Sequence, residues 1–261
     1  MPILERCDTG AVAWLTLNAP DRLNALSNEM LAALQAELDR LRADRSIRVV
    51  VLRGAGRAFC AGHDLREMTA ARQAPDGGAA AFKDLFDRCA RVMLSLRDLP
   101  QPVIAQVHGI ATAAGCQLVA TCDMAVAAED ARFGVNGVNI GLFCATPMVA
   151  LSRNIGRKRA FEVLTTGRFA TASEATDMGL INHAVAPADL AQATDDLAQT
   201  VAAKLAVPVR LGKPAFYAQA EMGSQDAYAY TGDVMVTNML DPDTEEGISA
   251  FLDKRDPTWV Q

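Results

Sequence analysis

The chain lacks most of the signatures that assign a chemistry at a glance. Its six cysteines, Cys7, Cys60, Cys89, Cys116, Cys122 and Cys144, form no CxxC pair and have no zinc-ligand spacing. No metal site is therefore expected, and the thiols read as reduced, mostly buried side chains of a cytoplasmic protein. There is no G-x-S-x-G elbow to carry a hydrolase nucleophile. No P-loop and no G-x-G-x-x-G turn is present to cradle a nucleotide. Positive charge is short as well: 25 Lys and Arg against 31 Asp and Glu give a net charge of −6 with no basic stripe. That argues against nucleic acid as a partner. It leaves room for a small anionic ligand held by local cations and helix N-termini. The opening Met-Pro-Ile-Leu-Glu has neither the basic start nor the apolar run of a secretory leader. The longest weakly polar stretch, Val103–Ala128, is interrupted by Gln106, His108, Gln117 and Asp123. It reads as a buried strand, turn and helix rather than a membrane span. No internal repeat or low-complexity tract is found.

What is present is an ordinary soluble composition, 51% hydrophobic and 21% charged over 261 residues, enough for a large core. A strand is predicted over Ala11–Leu17 and a helix from Ser27, as cap, to about Arg42, with Met30, Leu31, Leu34, Leu38 and Leu41 on one stripe. Ile47–Leu52 is rich in β-branched residues and reads as a buried strand. Thr69–Gly78, with Pro75-Asp76-Gly77-Gly78, reads as a mobile loop. Phe82–Leu99 is a helix stopped by Pro100 and Pro102. Then come a strand at Val103–Val107, a helix at Ala113–Cys122 and a strand at Met124–Ala127. Thr171-Ala172-Ser173-Glu174 is a capping box, and Leu180–Val185 is the last strand. Beyond Pro187 the pattern is helical only: 188–205, 209–222, 224–240 and 244–254. The alternation of strand and helix predicts a layered α/β body over residues 1–195. A helical region over 196–261 is too short to bury its own apolar faces, so it is expected to pack against the body or another subunit.

Two runs of small residues stand out. One is Ala61-Gly62-His63-Asp64-Leu65, and the other is Gly109-Ile110-Ala111-Thr112-Ala113-Ala114-Gly115-Cys116-Gln117-Leu118. Each follows a predicted strand, where small side chains let a ligand approach the backbone and free N–H groups attract negative charge. Two such turns at neighbouring strand ends would aim two amides at one oxygen, as in an oxyanion hole. The same residues would also serve merely to bring helix and strand close together. Residue type alone does not choose between the two.

Those runs resemble the paired signatures of the crotonase superfamily, the enoyl-CoA hydratase/isomerase family. Weaker matches run nearly end to end: Arg22-Leu23-Asn24-Ala25-Leu26, Pro102-Val103-Ile104-Ala105, Cys122-Asp123, Phe133-Gly134, Gly179-Leu180-Ile181 and Gly247 to Arg255. The resemblance implies a spiral of ββα units with a helical C-terminal trimerisation region, giving a homotrimer or a dimer of trimers. It implies an acyl-CoA thioester as ligand, with coenzyme A as part of the substrate and no separate cofactor. By position, the thioester oxygen would meet the amides of His63 and Ala114. Asp64, Leu65 and Arg66 would lie along the CoA and Ala61 near its adenine, with Arg22 and Leu23 at the adenosine end. Phe251 and Lys254 match positions that reach a neighbouring subunit's CoA.

The pattern also breaks. Hydratases of this family use two glutamates, which would stand at Gln117 and Gly137, and neither position is acidic here. A glutamine orients water but does not exchange a proton as a carboxylate does. Each positioned acid or base contributes roughly 10²–10⁴-fold. No Asp, Glu, His or Lys occurs from Phe133 to Ser152. Three readings follow. The first is an acyl-CoA lyase or isomerase with shifted chemistry, such as decarboxylation of a malonyl-type thioester, which needs no protein base. The Ala61-Gly62-His63-Asp64 turn and Val138-Asn139-Ile140-Gly141 resemble methylmalonyl-CoA decarboxylase, although Cys144 stands where that enzyme has a tyrosine. The second is a hydratase whose base is Glu67 or Asp84. The third is a non-catalytic acyl-CoA-binding protein. A Gln117→Glu, Gly137→Glu chain is expected to gain hydration if only the proton carriers are missing.

Overall fold

A computed structural model describes residues 1–260. Its first compact unit, Met1–Ala202, is built on a six-stranded sheet. The elements, in chain order, are β1 (Leu4–Thr9), β2 (Val12–Leu17), α1 (Asn28–Ala43), β3 (Val49–Gly54), α2 (Leu65–Ala71), α3 (Ala79–Asp98), β4 (Val103–Val107), β5 (Ile110–Thr112), α4 (Ala114–Thr121), β6 (Met124–Ala128), β7 (Arg132–Gly134), α5 (Pro147–Asn154), α6 (Arg157–Thr166), β8 (Ala170–Thr171), α7 (Ala172–Met178), β9 (His183–Val185) and α8 (Leu190–Ala202). The large sheet has the order β1-β2-β3-β4-β6-β9, with only the β1–β2 pair antiparallel. A small sheet of β5, β7 and β8 stands beside it. Strand β4 enters the large sheet, β5 the small one, and α4 follows; β6, β7 and α5 repeat the sequence. That is the expected ββα winding.

The central strands are buried on both faces, as continuous apolar runs require. Val49 and Val51 join Val12, Trp14 and Ile104 against Ala198 of α8. Val50 and Leu52 point the other way, into the main core with Leu15, Val103 and Ala105. The α1 stripe of Met30, Leu31, Leu34, Leu38 and Leu41 packs into that same core. Truncating a side chain as buried as Leu34 costs about 2–5 kcal/mol. The Ser27 side chain accepts from the Met30 amide and starts α1 where the sequence indicates. The Thr171–Glu174 capping box is complete, and Gly179 ends α7 in the left-handed region.

Several predictions shift. Strand β3 begins two residues later than the apolar run suggests. The segment read as a mobile loop over 69–78 is helical up to Ala71, and its Asp76 carboxylate accepts from the amides of Gly78 and Ala80, which builds the start of α3. Strand β9 is shorter than the predicted 180–185.

The second unit, from Ala203 onward, holds α9 (Ala206–Gln219), α10 (Ser224–Met239) and α11 (Pro242–Asp253). Its last residues fold back along α11. Arg255 pairs with Glu246 at 2.6 Å, Thr258 N–H donates to Glu246 at 2.6 Å, and Val260 N–H donates to Asp243 at 2.6 Å. Among the described residues no helix is long and apolar enough to cross a membrane. No cluster of three or more His, Cys, Asp or Glu among them is placed to hold a metal ion.

Candidate active site

The two small-residue turns meet. Cys60 lies beside Ala111 in a parallel bridge, its N–H donating to the Ile110 carbonyl at 3.1 Å and its carbonyl accepting from Thr112 N–H at 3.0 Å. Gly62 has φ +87°, and a Cβ on it would stand 2.9 Å from the Ala113 Cβ and 3.2 Å from the Ala114 nitrogen. Only a glycine permits that approach. The peptide nitrogen of Ala114 therefore borders the residue that precedes His63.

Among the described residues neither the His63 nor the Ala114 N–H has a hydrogen-bond acceptor. Ala114 is the first residue of α4, so its N–H has no intrahelical acceptor. The residue before it, Ala113, has φ +51° and ψ −120°, a conformation that costs a non-glycine residue about 1–3 kcal/mol. The surrounding bonds impose it. Ala113 N–H donates to Gly134 at 2.8 Å, and the Ala113 carbonyl accepts from Gln117 N–H at 3.0 Å. The Thr112 hydroxyl donates to the Asn136 side-chain oxygen at 2.6 Å.

The first turn is held from the other side by residues 19–26. Asn24 is wholly buried at φ +53° and clamps the loop, donating to the carbonyls of Ala55 and Ala58, both at 2.8 Å, while its oxygen accepts from Ala19 N–H at 2.9 Å. Ala61 N–H donates to the carbonyl of Leu23, and Leu26 N–H to that of Gly62 at 2.7 Å. Asp64 caps α2 through the amides of Arg66 and Glu67, and its other oxygen lies 3.7 Å from Arg22. So Arg22, Leu23, Ala61, Asp64, Leu65 and Arg66 are brought into one neighbourhood, with Leu65 and Arg66 exposed. Phe251 is an exposed side chain of α11, and Lys254 closes that helix at φ +55°.

Gln117 is buried one turn along α4, with its Oε1 unpartnered. The imidazole of His63 meets Phe86 of α3 edge to face at 5.7 Å, and burial pushes its pKa below the usual value, opposed by the Leu26 carbonyl.

Gly137 is enclosed. A Cβ there would lie 2.3 Å from the Leu142 carbonyl oxygen and 2.9 Å from Cys144 Sγ. The Leu142 N–H also donates to the Gly137 carbonyl at 2.9 Å. Main chain therefore fills the space that a longer side chain at 137 would need, and the expectation that two substitutions restore a hydratase meets this wall. Glu67 and Asp84 are both engaged: Glu67 accepts from Asn28 N–H at 2.8 Å and Asp84 pairs with Arg88 at 2.8 Å. Both line a cleft with Met68, Phe82 and Arg88.

Sequence reading counts Asn136, with Asn139, Cys144 and Thr146, among the polar candidates of the 133–152 stretch, but it gives no role to Thr112, which lies inside the second small-residue run, or to the Leu142 carbonyl. A main-chain carbonyl leaves no mark in a sequence.

Residues 8–261 match the family model described as enoyl-CoA hydratase/isomerase. A crystal structure of enoyl-CoA hydratase from Mycobacterium smegmatis is 52% identical, covers all of both chains and superposes with a TM-score of 0.96. Enoyl-CoA hydratase domain-containing protein 3, mitochondrial, from Xenopus laevis is 42% identical over 246 residues, 94% of this chain and 82% of that one. Its human counterpart is 42% identical over 245 residues, 94% and 79% respectively. The mitochondrial names of these relatives overturn the cytoplasmic expectation. That expectation rested on reduced thiols and a missing secretory leader, which do not separate one reducing compartment from another.

Proposed function

The chain belongs to the enoyl-CoA hydratase/isomerase family, and on that premise we propose that it binds an acyl-CoA thioester with the carbonyl oxygen between the N–H groups of His63 and Ala114. The observation that carries the proposal is that both N–H groups are left without acceptors beside the contact of Gly62 with Ala114. Two preorganised donors would stabilise the enolate that forms when the acyl carbon gains negative charge. Arg22, Leu23, Ala61, Asp64, Leu65 and Arg66 would follow the CoA, and Phe251 and Lys254 would reach that of a neighbouring subunit. A homotrimer or dimer of trimers is supported by apolar side chains left exposed on the helical unit, Tyr228, Leu240 and Leu252 among them.

Ordinary hydration is disfavoured. It needs a proton carrier at each of two positions, and this chain offers the amide of Gln117 and a glycine walled in by Leu142 and Cys144. Decarboxylation of a malonyl-type thioester fits that set better. The bond between C2 and the carboxylate breaks, CO₂ leaves, and the electron pair passes to the thioester oxygen as an enolate. Water then protonates C2. No protein base takes part, and no metal or redox cofactor is called for. The test is a screen of crotonyl-, 3-enoyl- and malonyl-type CoA thioesters with affinity measured alongside. Release of CO₂ from the malonyl-type ester supports the lyase reading. Tight binding of all three without turnover would reduce the protein to an acyl-CoA carrier.

A further inference from the structure

His63 carries an unmet demand that its peptide nitrogen does not explain. Both ring nitrogens are buried and neither makes a hydrogen bond of full geometry, the Leu26 carbonyl acting on the ring only enough to oppose the effect of burial. Among the described residues, other buried side-chain atoms without partners are single glutamine oxygens, on Gln35, Gln106 and Gln117. Gln35 uses its amide nitrogen in bonds elsewhere. Gln117 shares α4 with Ala114, one turn on. Buried polar groups are nearly always paired, and one that is not destabilises the fold. A leucine would fill the space against Phe86 at no such cost. The imidazole is instead kept where burial holds it neutral, with one N–H to give and one lone pair to receive.

The ring belongs to the same residue whose amide is assigned to the thioester oxygen. With the thioester oxygen on that amide, the ring would stand one side chain from it, at the first carbons of the acyl group, and Gln117 follows Ala114 by one turn of α4. We propose that His63, with Gln117, is a specificity-determining residue that reads an oxygen substituent on the acyl group beside the thioester, and that a plain hydrocarbon acyl group leaves both side chains unpaired. The inference rests on the acyl-CoA reading and goes beyond it by assigning the imidazole. A site built to hydrogen-bond a substrate oxygen discriminates strongly against the analogue that lacks it, because its own polar groups are then stranded.

The test compares dissociation constants of butyryl-CoA, 3-hydroxybutyryl-CoA, acetoacetyl-CoA and malonyl-CoA for the wild type, His63→Leu and His63→Gln, all of which keep the peptide N–H. The wild type is expected to bind at least one oxygen-bearing ester about 10-fold or more tighter than butyryl-CoA. His63→Leu should erase that ratio and His63→Gln should retain part of it. The unliganded His63→Leu protein should melt no lower than the wild type, since it loses only unpaired polar atoms. Which ester is preferred identifies the oxygen as hydroxyl, oxo or carboxylate. A preference that survives in His63→Leu overturns the inference. Equal binding of all four esters by the wild type also overturns it and leaves the acyl-CoA reading standing. Failure of the wild type to bind any of them overturns that reading and this inference with it.

Discussion

The hydroxyl of Thr112 donates to the side-chain oxygen of Asn136 at 2.6 Å, and that bond ties the turn before Ala114 to the loop that carries Gly137. Thr112 immediately precedes Ala113, whose backbone is the strained one. Thr112→Val keeps the shape and removes the donor. It should lower turnover about 10-fold and stability by about 0.5–1.5 kcal/mol, the net worth of one such bond, while affinity for the CoA ester changes little. Thr112→Ser should recover the rate. Kinetics with a thermal melt on all three proteins checks this, and an unchanged rate in Thr112→Val removes the positioning role.

Gly62 admits no side chain. An alanine there combines a left-handed φ of +87° with contacts of 2.9 Å to the Ala113 Cβ and 3.0 Å to the Thr112 carbonyl. The turns must separate, and the Ala114 amide moves with them. Loss of one oxyanion donor costs roughly 10²–10³-fold in kcat in enzymes where it has been removed. Gly62→Ala should fall by a similar factor in single turnover. Near-wild-type turnover would show that the contact of the two turns is packing alone.

Restoring the two carboxylates should not create a hydratase. At Gly137 the first side-chain atom would meet the Leu142 carbonyl at 2.3 Å. Gln117→Glu would bury a carboxyl group that burial drives toward its neutral form, at some loss of stability. The double variant should melt below the wild type and leave crotonyl-CoA hydration at background. A large gain in hydration would mean that the 136–146 loop rearranges freely.

The thiols give a test of the core. Cys7 is exposed, whereas Cys60, Cys89, Cys116, Cys122 and Cys144 are buried. Burial pushes Cys60, Cys89 and Cys116 up to about 12, so their reactive thiolates are scarce at pH 8. A thiol titration of the native chain at pH 8 should count one group rapidly, and all six once it is denatured. Two or more fast thiols in the native chain would show that the packing around one of the five buried cysteines opens.

Much of this was legible in the sequence where a local rule governs. Ser27, the α1 stripe, the Thr171–Glu174 box and the β-branched run at Val49–Leu52 all did what their residue types dictate. β1 escaped because Leu4–Thr9 is a half-exposed edge strand whose Glu5, Arg6 and Asp8 hide any alternation. β5, β7 and β8 have two or three residues each, too few to show a period. α5 and α6 were missed in a stretch broken by Pro147, Gly156 and Gly167. At the site, the small-residue runs were visible because close approach demands particular residue types. The left-handed turn at Ala113, the Asn136 anchor and the Leu142 wall were not, because long-range contacts to main chain do not restrict which side chain stands at the contact.

Infrared difference spectroscopy of an acyl-CoA labelled with ¹³C at the thioester carbonyl tests the central claim most directly. Two peptide donors on that oxygen weaken its double bond, so the labelled stretch should move to lower frequency on binding, and Gly62→Ala should reverse most of the shift. A bound ester whose stretch stays at its free-solution position would contradict the account.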